Sequence, residues 1–453
     1  MRLRTSVALA ALVVGAVGAR ADTLEEALVS AYNTNPALLA ERANVRAVDE
    51  GVPQALSGWR PTAVFTGSAG FERIENTPPT PGVAPAHATF QPKTVDLNVT
   101  QPIYQGGQTI AKTAAAEQLV EAERARNAAA ESTIFFSVIQ SYFDVLRDQS
   151  VVELNINNEQ VLRRQLDATT DQFRVGSVTR TDVAQAEARL AAARASRQTA
   201  EGTLAVDRSN FQRFVGHAPG SLVRPELHPA IPATREEALA LAATKNPNVL
   251  AAVFTEDSAR STVLATRAQL LPSLNLVTDV NRGQEVTTNG RETTTGSVVF
   301  RVTMPLYEGG QIYSQTRQAQ EKVAQSLGLT DDARRQAVQA ATQAWETIQS
   351  ARASAYSLQS TIRADQIALE GVRQEQQVGS RTILDVLNQQ QELFADQVSL
   401  VQAQHDLAVA EFNIAQQIGT LAAINLGLPV PLYDVDRHYQ SVRDKWLGFG
   451  SKD

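Results

Sequence analysis

Four short segments of the chain alternate apolar and polar residues, the period-two pattern of strands with one apolar face. They fall at about residues 62–72, 94–100, 273–281 and 297–304. Each run is about ten residues long, which is typical of a tilted strand that crosses an outer membrane. Four strands cannot enclose a lumen, and lipid does not tolerate open sheet edges, so the pattern predicts one barrel shared by several chains. A four-stranded sheet packed on a soluble helical bundle is the alternative.

Two long stretches without proline predict long helices. They run from Gly106 to about Thr170 and from Gly310 to about Gln377, and Trp345 in the second occupies the place of Tyr142 in the first. About 65 residues at 1.5 Å per residue make a rod of roughly 100 Å. Apolar residues of the first stretch follow a helical spacing. They are Ile134, Val138, Tyr142, Val145, Val152 and Ile156.

The clearest heptad pattern lies between residues 386 and 421. Two adjacent stripes predict a helix with a neighbour on each side, and the long helices favour an extended helical wall over an ordinary bundle. The first stripe is Val386, Leu393, Leu400, Leu407, Ile414 and Leu421, and the second is Leu387, Phe394, Val401, Ala408 and Ala415.

The chain also repeats itself, which predicts two copies of one structural unit. Thr23–Leu28 returns as Thr234–Leu239, and Val99–Gln108 returns as Val302–Gln311. We predict a signal peptide (1–21), a first repeat (22–225, hairpin about 61–103, tip about 173–182), a second repeat (226–427, hairpin about 272–305, tip about 376–385) and a C-terminal tail (428–453).

Composition narrows the class of protein. Two arginines, an apolar run from Val7 to Val17 and the small-x-small site Ala19–Ala21 predict an export signal. The run is shorter than the ~20 residues of a membrane-spanning helix. The absence of cysteine excludes a disulfide framework and a lipid-anchored N-terminal cysteine. A net charge of −7 argues against general nucleic-acid binding.

The sequence shows no catalytic or cofactor site. Its five histidines are scattered without metal-ligand spacing, and no Ser/His/Asp signature is visible. Neither Gly-Gly pair is followed by Lys-Ser/Thr, so we interpret both as turn glycines rather than phosphate loops. The sequence therefore predicts no enzyme, cofactor or metal, and an exported enzyme on a helical scaffold is disfavoured.

Each long predicted helix ends at the sequence Val-Gly-Ser. The glycine fits the left-handed position that closes a helix. Thr179 with Asp182, and Thr382 with Asp385, then fit capping boxes for the return helices, and capping alone is a sufficient role for both aspartates. The two turns comprise Val175, Gly176 and Ser177, and Val378, Gly379 and Ser380.

Taken together, these features resemble the TolC family of outer-membrane channels over the whole mature chain. The repeated helix–hairpin–helix pattern, Pro-x-Tyr-x-Gly-Gly after each hairpin and Val-Gly-Ser before each return helix carry the resemblance. The tail, with Leu428–Asp434, His438-Tyr439 and Val442–Trp446, is similar to the branch that serves type I secretion. Absence of a lipid-anchor cysteine separates the chain from the lipoprotein drug-efflux branch.

The resemblance implies a mainly α fold with a small β part, and a homotrimer. Three chains of four strands give a 12-stranded outer-membrane barrel continued by a 12-helix tunnel across the periplasm. The resemblance also implies a passive exit duct for secreted protein, recruited by an inner-membrane ABC exporter and its periplasmic adaptor. It does not decide whether small molecules are also cargo. The alternatives are the outer-membrane part of a multidrug efflux pump and a periplasmic adaptor, which would show one hairpin with lipoyl-like β-domains.

The same resemblance implies that the two turns are periplasmic tips, where the adaptor docks and the tunnel constricts. Arg381 and Asp385 match the constriction pattern of the family, which places Arg381 near Asp182. Asn388 stands where TolC-like sequences often have a second acidic residue, so a double acidic ring is not predicted here.

Overall fold

The computed structural model describes residues 21–75, 87–286 and 290–450, and this part of the chain is mainly helical. Both predicted long helices are present, with 67 residues each. None of the helices in the described part is long and apolar enough to cross a bilayer. The α-helices are α1 (Leu24–Thr34), α2 (Pro36–Asp49), α3 (Gly51–Leu56), α4 (Gln108–Arg174), α5 (Arg180–Val215), α6 (Arg235–Lys245), α7 (Pro247–Arg267), α8 (Gln311–Gln377), α9 (Ile383–Gln417) and α10 (Val435–Val442).

All four alternating segments form strands, which are β2 (Thr62–Ala69), β5 (Lys93–Gln105), β7 (Ser273–Gln284) and β8 (Glu292–Thr303). The sequence analysis did not predict the short β3–β4 pair, because it lies at the ends of the polar, proline-rich segment between the first two alternating runs. Most of that loop, the residues between 286 and 290, and the predicted signal up to residue 20 lie outside the described residues. The strands are β1 (Ala21–Asp22), β2 (Thr62–Ala69), β3 (Glu72–Glu75), β4 (His87–Phe90), β5 (Lys93–Gln105), β6 (Ser221–Leu222), β7 (Ser273–Gln284) and β8 (Glu292–Thr303).

One antiparallel sheet joins the hairpins of both repeats, in the order β2-β5-β7-β8. Strand β5 pairs with β7 from Lys93 opposite Gln284 to Gln105 opposite Ser273. The register shifts between Pro102 and Tyr104, an irregularity of the kind that accommodates proline in a sheet. The residues of β2 and β8 are exposed throughout, so a single chain leaves the sheet open along both edges.

The middle of the predicted α4 stripe is buried in a core shared by α1, α4, α5 and α9, whereas Ile134, Val152 and Ile156 are half-buried. Val138, Tyr142 and Val145 are inaccessible to solvent and pack with Phe211 and Phe412. The Tyr142 hydroxyl donates to the Asp22 carbonyl at 2.9 Å. Burial raises the pKa of Tyr142 to about 12, so this hydroxyl remains a donor at any ordinary pH.

The double stripe of α9 contacts two different neighbours, as its pattern predicts. Val386 and Leu393 pack in one cluster with residues of α8, whereas Leu387 packs with residues of α4 and α5. The heptad pattern overestimates the length of the helix. Helix α9 ends at Gln417, and Leu421 is buried beyond that end.

The chain divides into two compact units, and each draws on both repeats. One contains the α4–α5 and α8–α9 turns, and the other contains the four-stranded sheet and the C-terminal tail. The first comprises residues up to Leu39, Ala130–Ala242 and Val338–Leu432, and the second comprises Ala40–Ala129, Ala243–Ala337 and residues from Tyr433 onward.

Paired glycines join the last strand of each hairpin to the long helix that follows. Gly106 and Gly107 have φ of 61° and 83°, and Gly309 and Gly310 have φ of 62° and 83°. Two successive left-handed residues form the turn between strand and helix, a conformation that suits glycine. The interpretation of these pairs as turn glycines is confirmed.

Gly106→Ala is expected to lower the thermal midpoint of the helical circular dichroism more than Gly309→Ala. Both variants force a side chain into left-handed backbone, which costs about 1–2 kcal/mol. At Gly106 the new Cβ would also lie 2.7 Å from the Ala268 carbonyl oxygen, whereas nothing lies within 4 Å at Gly309. Overpacking adds about 1–3 kcal/mol. Equal midpoints for the two variants would contradict the close approach.

Candidate functional site

The two predicted tips close with the same backbone geometry. Gly176 and Gly379 both have φ of 83°, which confirms the predicted left-handed closure. The Ser177 N–H donates to the Gln172 carbonyl at 3.0 Å, and the Ser380 N–H makes the equivalent bond with Glu375 at 3.0 Å. These bonds satisfy carbonyls at the ends of α4 and α8 in the Schellman pattern. Each serine hydroxyl donates to the same carbonyl, so both are engaged within their own turn.

Both predicted capping boxes are present after these turns. The Thr179 N–H donates to the Asp182 carboxylate at 2.8 Å, and the Thr382 N–H donates to Asp385 at 3.0 Å. Each threonine hydroxyl oxygen accepts the N–H of its aspartate in return. Donation by the backbone and hydroxyl of Thr382, helped by the nearby Arg381 charge, lowers the pKa of Asp385. Asp385 is therefore a half-buried, ionised carboxylate that caps α9.

Each tip presents a highly exposed valine to solvent. Val175 and Val378 are both 80% exposed, and they occupy the same place before the left-handed glycine. Below the turns, Val178 and Ile383 pack in a cluster with residues of α4, α5 and α9. The cluster holds the turns on packed helices, so each valine projects from a fixed support.

Arg381 lies next to a residue that the sequence analysis did not select. Its Nε is 3.0 Å from the Glu375 carboxylate, across the turn. The six-residue separation matches no helical spacing, and the two meet only because Gly379 reverses the chain. Their counterparts in the first repeat are Gln172 and Val178, so this ion pair distinguishes the second tip. The contact of Arg381 with Asp182 stays a prediction, because it concerns the assembled channel.

Asn388 connects two helices below the tips. Its carbonyl oxygen accepts a hydrogen bond of 2.8 Å from the Arg189 guanidinium, which joins α9 to α5. Arg189 was missed because nothing in the local sequence indicates a partner 199 residues away. An amide at position 388 thus has a structural role.

A second group of charges lies on α4, α5 and α9. Arg147 is within 3.0 Å of Asp144, Asp148 and Asp207. His405 lies 2.9 Å from Asp144 and 3.0 Å from Asp406, with only 9% of its side chain exposed. Burial opposes the charged imidazole, but attraction to Asp144 and Asp406 outweighs it and raises the pKa of His405. In the described part of the chain, no group of three or more His, Asp or Glu side chains has a metal-binding arrangement.

The His405 contact should make stability depend on pH. Because the pKa is raised in the folded chain, the contribution is fully present below the unfolded pKa of about 6.5 and is lost as pH rises through the folded value. We expect the thermal midpoint of His405→Gln to fall less than that of the parent between about pH 6 and pH 8. His228→Gln, which replaces an exposed histidine, is the control. Parallel curves for the parent and His405→Gln would contradict the prediction.

Comparison with known proteins identifies the family. The model of the outer membrane efflux protein family matches the chain twice, over residues 27–217 and 238–420. The chain belongs to the outer membrane efflux protein family. Over 452 residues it is 34% identical to the outer membrane efflux protein BepC of Brucella suis, covering 99% of this chain and 97% of BepC. It is 26% identical over 424 residues to the outer membrane protein TolC of Vibrio cholerae, covering 90% of this chain and 94% of TolC.

Solved structures share the fold. The crystal structure of the Campylobacter jejuni CmeC outer membrane channel superposes with a TM-score of 0.77 at 15% identity, covering 93% of this chain and 89% of CmeC. The TolC-family resemblance, the mainly helical tandem-repeat fold and the outer-membrane location predicted from the sequence are confirmed. This outer membrane efflux protein is a transport component, and its family is not a class of enzymes.

Proposed function

We propose that the protein is the passive exit duct of a tripartite export system, working as a homotrimer. A periplasmic adaptor and an inner-membrane exporter would supply recruitment and energy. The observation that carries the proposal is the four-stranded sheet with two open edges. Exposed strand edges are not tolerated in lipid, so other chains must pair with β2 and β8.

The strand directions support closure by identical copies. Because every neighbouring pair in the sheet is antiparallel, β2 and β8 also run in opposite directions. Strand β8 of one chain can therefore pair with β2 of the next without breaking the alternation, and three chains complete a 12-stranded ring. An even, antiparallel strand number is the rule for bacterial outer-membrane barrels.

The two faces of the sheet support a wet interior and a lipid-facing exterior. Asn98 lies opposite Asp279, and Asn281 lies opposite Asp96, with amide–carboxylate distances of 3.5 Å and 3.3 Å. These polar pairs share one face and would line the lumen. The other face carries apolar side chains such as Phe300, which is 69% exposed in the single chain.

We propose that the tips dock the adaptor and hold the gate. The exposed Val175 and Val378 give each tip an apolar contact point on a rigid turn, as apolar anchors in an interface require. Asp182 and Asp385 occupy equivalent places on the two tips, but Arg381 adds a positive charge that the first tip lacks, because Val178 stands at that position. Adaptor contact at the tips would then bias the constriction towards its open state.

Two cargo classes are proposed. The tail resembles the branch that serves type I secretion, which favours secreted protein delivered by an ABC exporter. The efflux name of BepC, at 34% identity, favours small molecules as the second candidate. Deleting the gene in its own host separates them. Loss of a secreted protein with unchanged drug susceptibility supports secretion, and the opposite result supports efflux.

Cysteine cross-linking tests the trimer directly, because the chain contains no cysteine of its own. We expect Thr66→Cys in β2, combined in turn with single cysteines along β8, to give disulfide-linked ladders of up to three chains in the outer-membrane fraction. Each single-cysteine variant is the control and should remain monomeric in denaturing gels without reductant. A soluble periplasmic monomer with no ladder at any β8 position would refute the proposal.

A further inference from the structure

The C-terminal tail follows a directed path along the helices that lead into the first strand. As the tail proceeds, its partners advance along α2 and past α3 towards β2, which begins at Thr62. The contacts join Tyr433 to Arg42 (hydroxyl to carbonyl, 3.3 Å), His438 to Asp49 (3.0 Å) and Lys445 to Arg60 (carbonyl to guanidinium, 2.7 Å).

The tail also contacts α4, which begins three residues after β5 ends at Gln105. Arg124 lies 2.7 Å from Asp436 and stacks on the Tyr439 ring at 5.4 Å. One step further along the tail, Arg443 lies 3.3 Å from Glu117, nearer the beginning of the helix. Both series of contacts, with α2 and Arg60 and with α4, bring the tail to the same end of the sheet, where β2 begins and β5 ends.

The tail ends there in three exposed apolar side chains, Trp446, Leu447 and Phe449, which we call the tail cluster. Trp446 is 64% exposed and Leu447 is 90% exposed. The Arg60 guanidinium lies 5.3 Å from the Trp446 ring, and Arg60 precedes the first residue of β2 by two positions. Ion pairs and stacked arginines position this segment, while its apolar side chains stay exposed to solvent among the described residues.

We infer that the tail cluster inserts into the phospholipid leaflet that faces the periplasm and anchors the channel there. The inference rests on the proposed function, which puts the strands in the bilayer and their first residues at its periplasmic boundary. Tryptophan prefers this interface because its ring is apolar while its N–H remains hydrated. Arg60 and Lys445 place positive charge beside the cluster, which suits phospholipid phosphates, and within the described residues of the tail the neighbouring carboxylate is that of Asp444.

Trp446 fluorescence tests the inference in the assembled protein. Replacing Trp59 and Trp345 by phenylalanine leaves Trp446 as the sole tryptophan. The channel is reconstituted in phosphatidylethanolamine–phosphatidylglycerol vesicles whose acyl chains are brominated near the glycerol or near the chain end. We expect bromine near the glycerol to remove most of the emission and bromine near the chain end to remove much less.

A reference reporter separates failure of this inference from failure of the proposed function. In a variant with all three native tryptophans replaced, Phe300→Trp places a reporter on the lipid-facing side of β8. Quenching of this reporter without quenching of Trp446 would overturn the anchor and leave the barrel in place. No quenching at either position would overturn the barrel itself. Blue-shifted but unquenched Trp446 emission would show that a second copy of the chain covers the cluster instead, and would also overturn the anchor.

Changing the neighbours of Trp446 gives a second readout. Leu447→Ser with Phe449→Ser removes apolar contact area while leaving Arg60 and the ion pairs of the tail intact. We expect quenching of Trp446 to fall in this double variant, with normal trimer assembly. Val206→Ser, at an exposed apolar position on α5, is the matched control and should leave quenching unchanged. Undiminished quenching in the double variant would contradict insertion of the cluster as a unit.

Discussion

Gly379→Val is expected to impair export severely while the trimer still assembles in the outer membrane. Gly379 has φ of 83°, and a β-branched residue in left-handed backbone costs on the order of 1 kcal/mol or more. Within the described part of the single chain, no atom beyond the adjoining residues lies within 4 Å of a Cβ at this position, so the cost arises from the backbone. The strain is relieved by reshaping the turn, which displaces Val378 and breaks the bond from Ser380 to Glu375. The amount of exported cargo and the amount of heat-resistant trimer in the outer membrane are measured in the same cells.

Gly379→Asn is the matched control for that variant. Asparagine adds a side chain of similar size but is far better tolerated in the left-handed region. If tip geometry controls docking, Gly379→Asn should retain most of the export that Gly379→Val loses. Normal export in Gly379→Val would contradict a docking role for this tip. Equal loss in both variants would indicate that any side chain at the tip blocks docking, whatever its backbone preference.

Arg381→Glu is expected to open the resting channel, seen as a several-fold rise in basal conductance in planar bilayers. In the single chain the change places a second carboxylate beside Glu375, and in the trimer it would reverse the proposed contact with Asp182. One exposed pair contributes only about 0.2–1 kcal/mol. In the proposed trimer, three symmetric copies would act together on one aperture, and their sum would then be enough to shift a two-state gate. Arg174→Glu, which reverses the exposed pair with Asp171 at the first tip, is the control.

Asp385 tests selectivity at the same aperture. Asp385→Ala is expected to lower cation preference, measured as reversal potential in a salt gradient, because a ring of three carboxylates attracts cations. Asp385→Asn removes the charge but keeps an oxygen that can accept from Thr382, so it separates charge from capping. Since the pKa of Asp385 is lowered, the parent channel should keep its preference at acidic pH where an ordinary aspartate begins to protonate. If only Asp385→Ala changed selectivity, capping would be the sole role.

The sequence determined the elements whose causes are local. Period-two alternation located all four strands of the main sheet, because burial of one face imposes its period on the residues. The absence of proline located α4 and α8, and the heptad stripes located α9. The tips were predicted in detail, with left-handed Gly176 and Gly379 followed by capping boxes at Thr179 and Thr382. The hydrogen bonds of each glycine turn and capping box join residues that are only a few positions apart, so a short stretch of sequence contains all the residues involved.

Only the tertiary structure decided which distant residues meet. The pairing of β5 with β7, the bond from Arg189 to Asn388 and the path of the tail along α2 and α4 join parts of the chain far apart in sequence. Even Arg381 and Glu375, on one turn, escape helical spacing because a left-handed residue separates them. Such contacts leave no periodic trace, since a strand edge or a surface charge is compatible with many partners. Packing of the whole chain selects one of them.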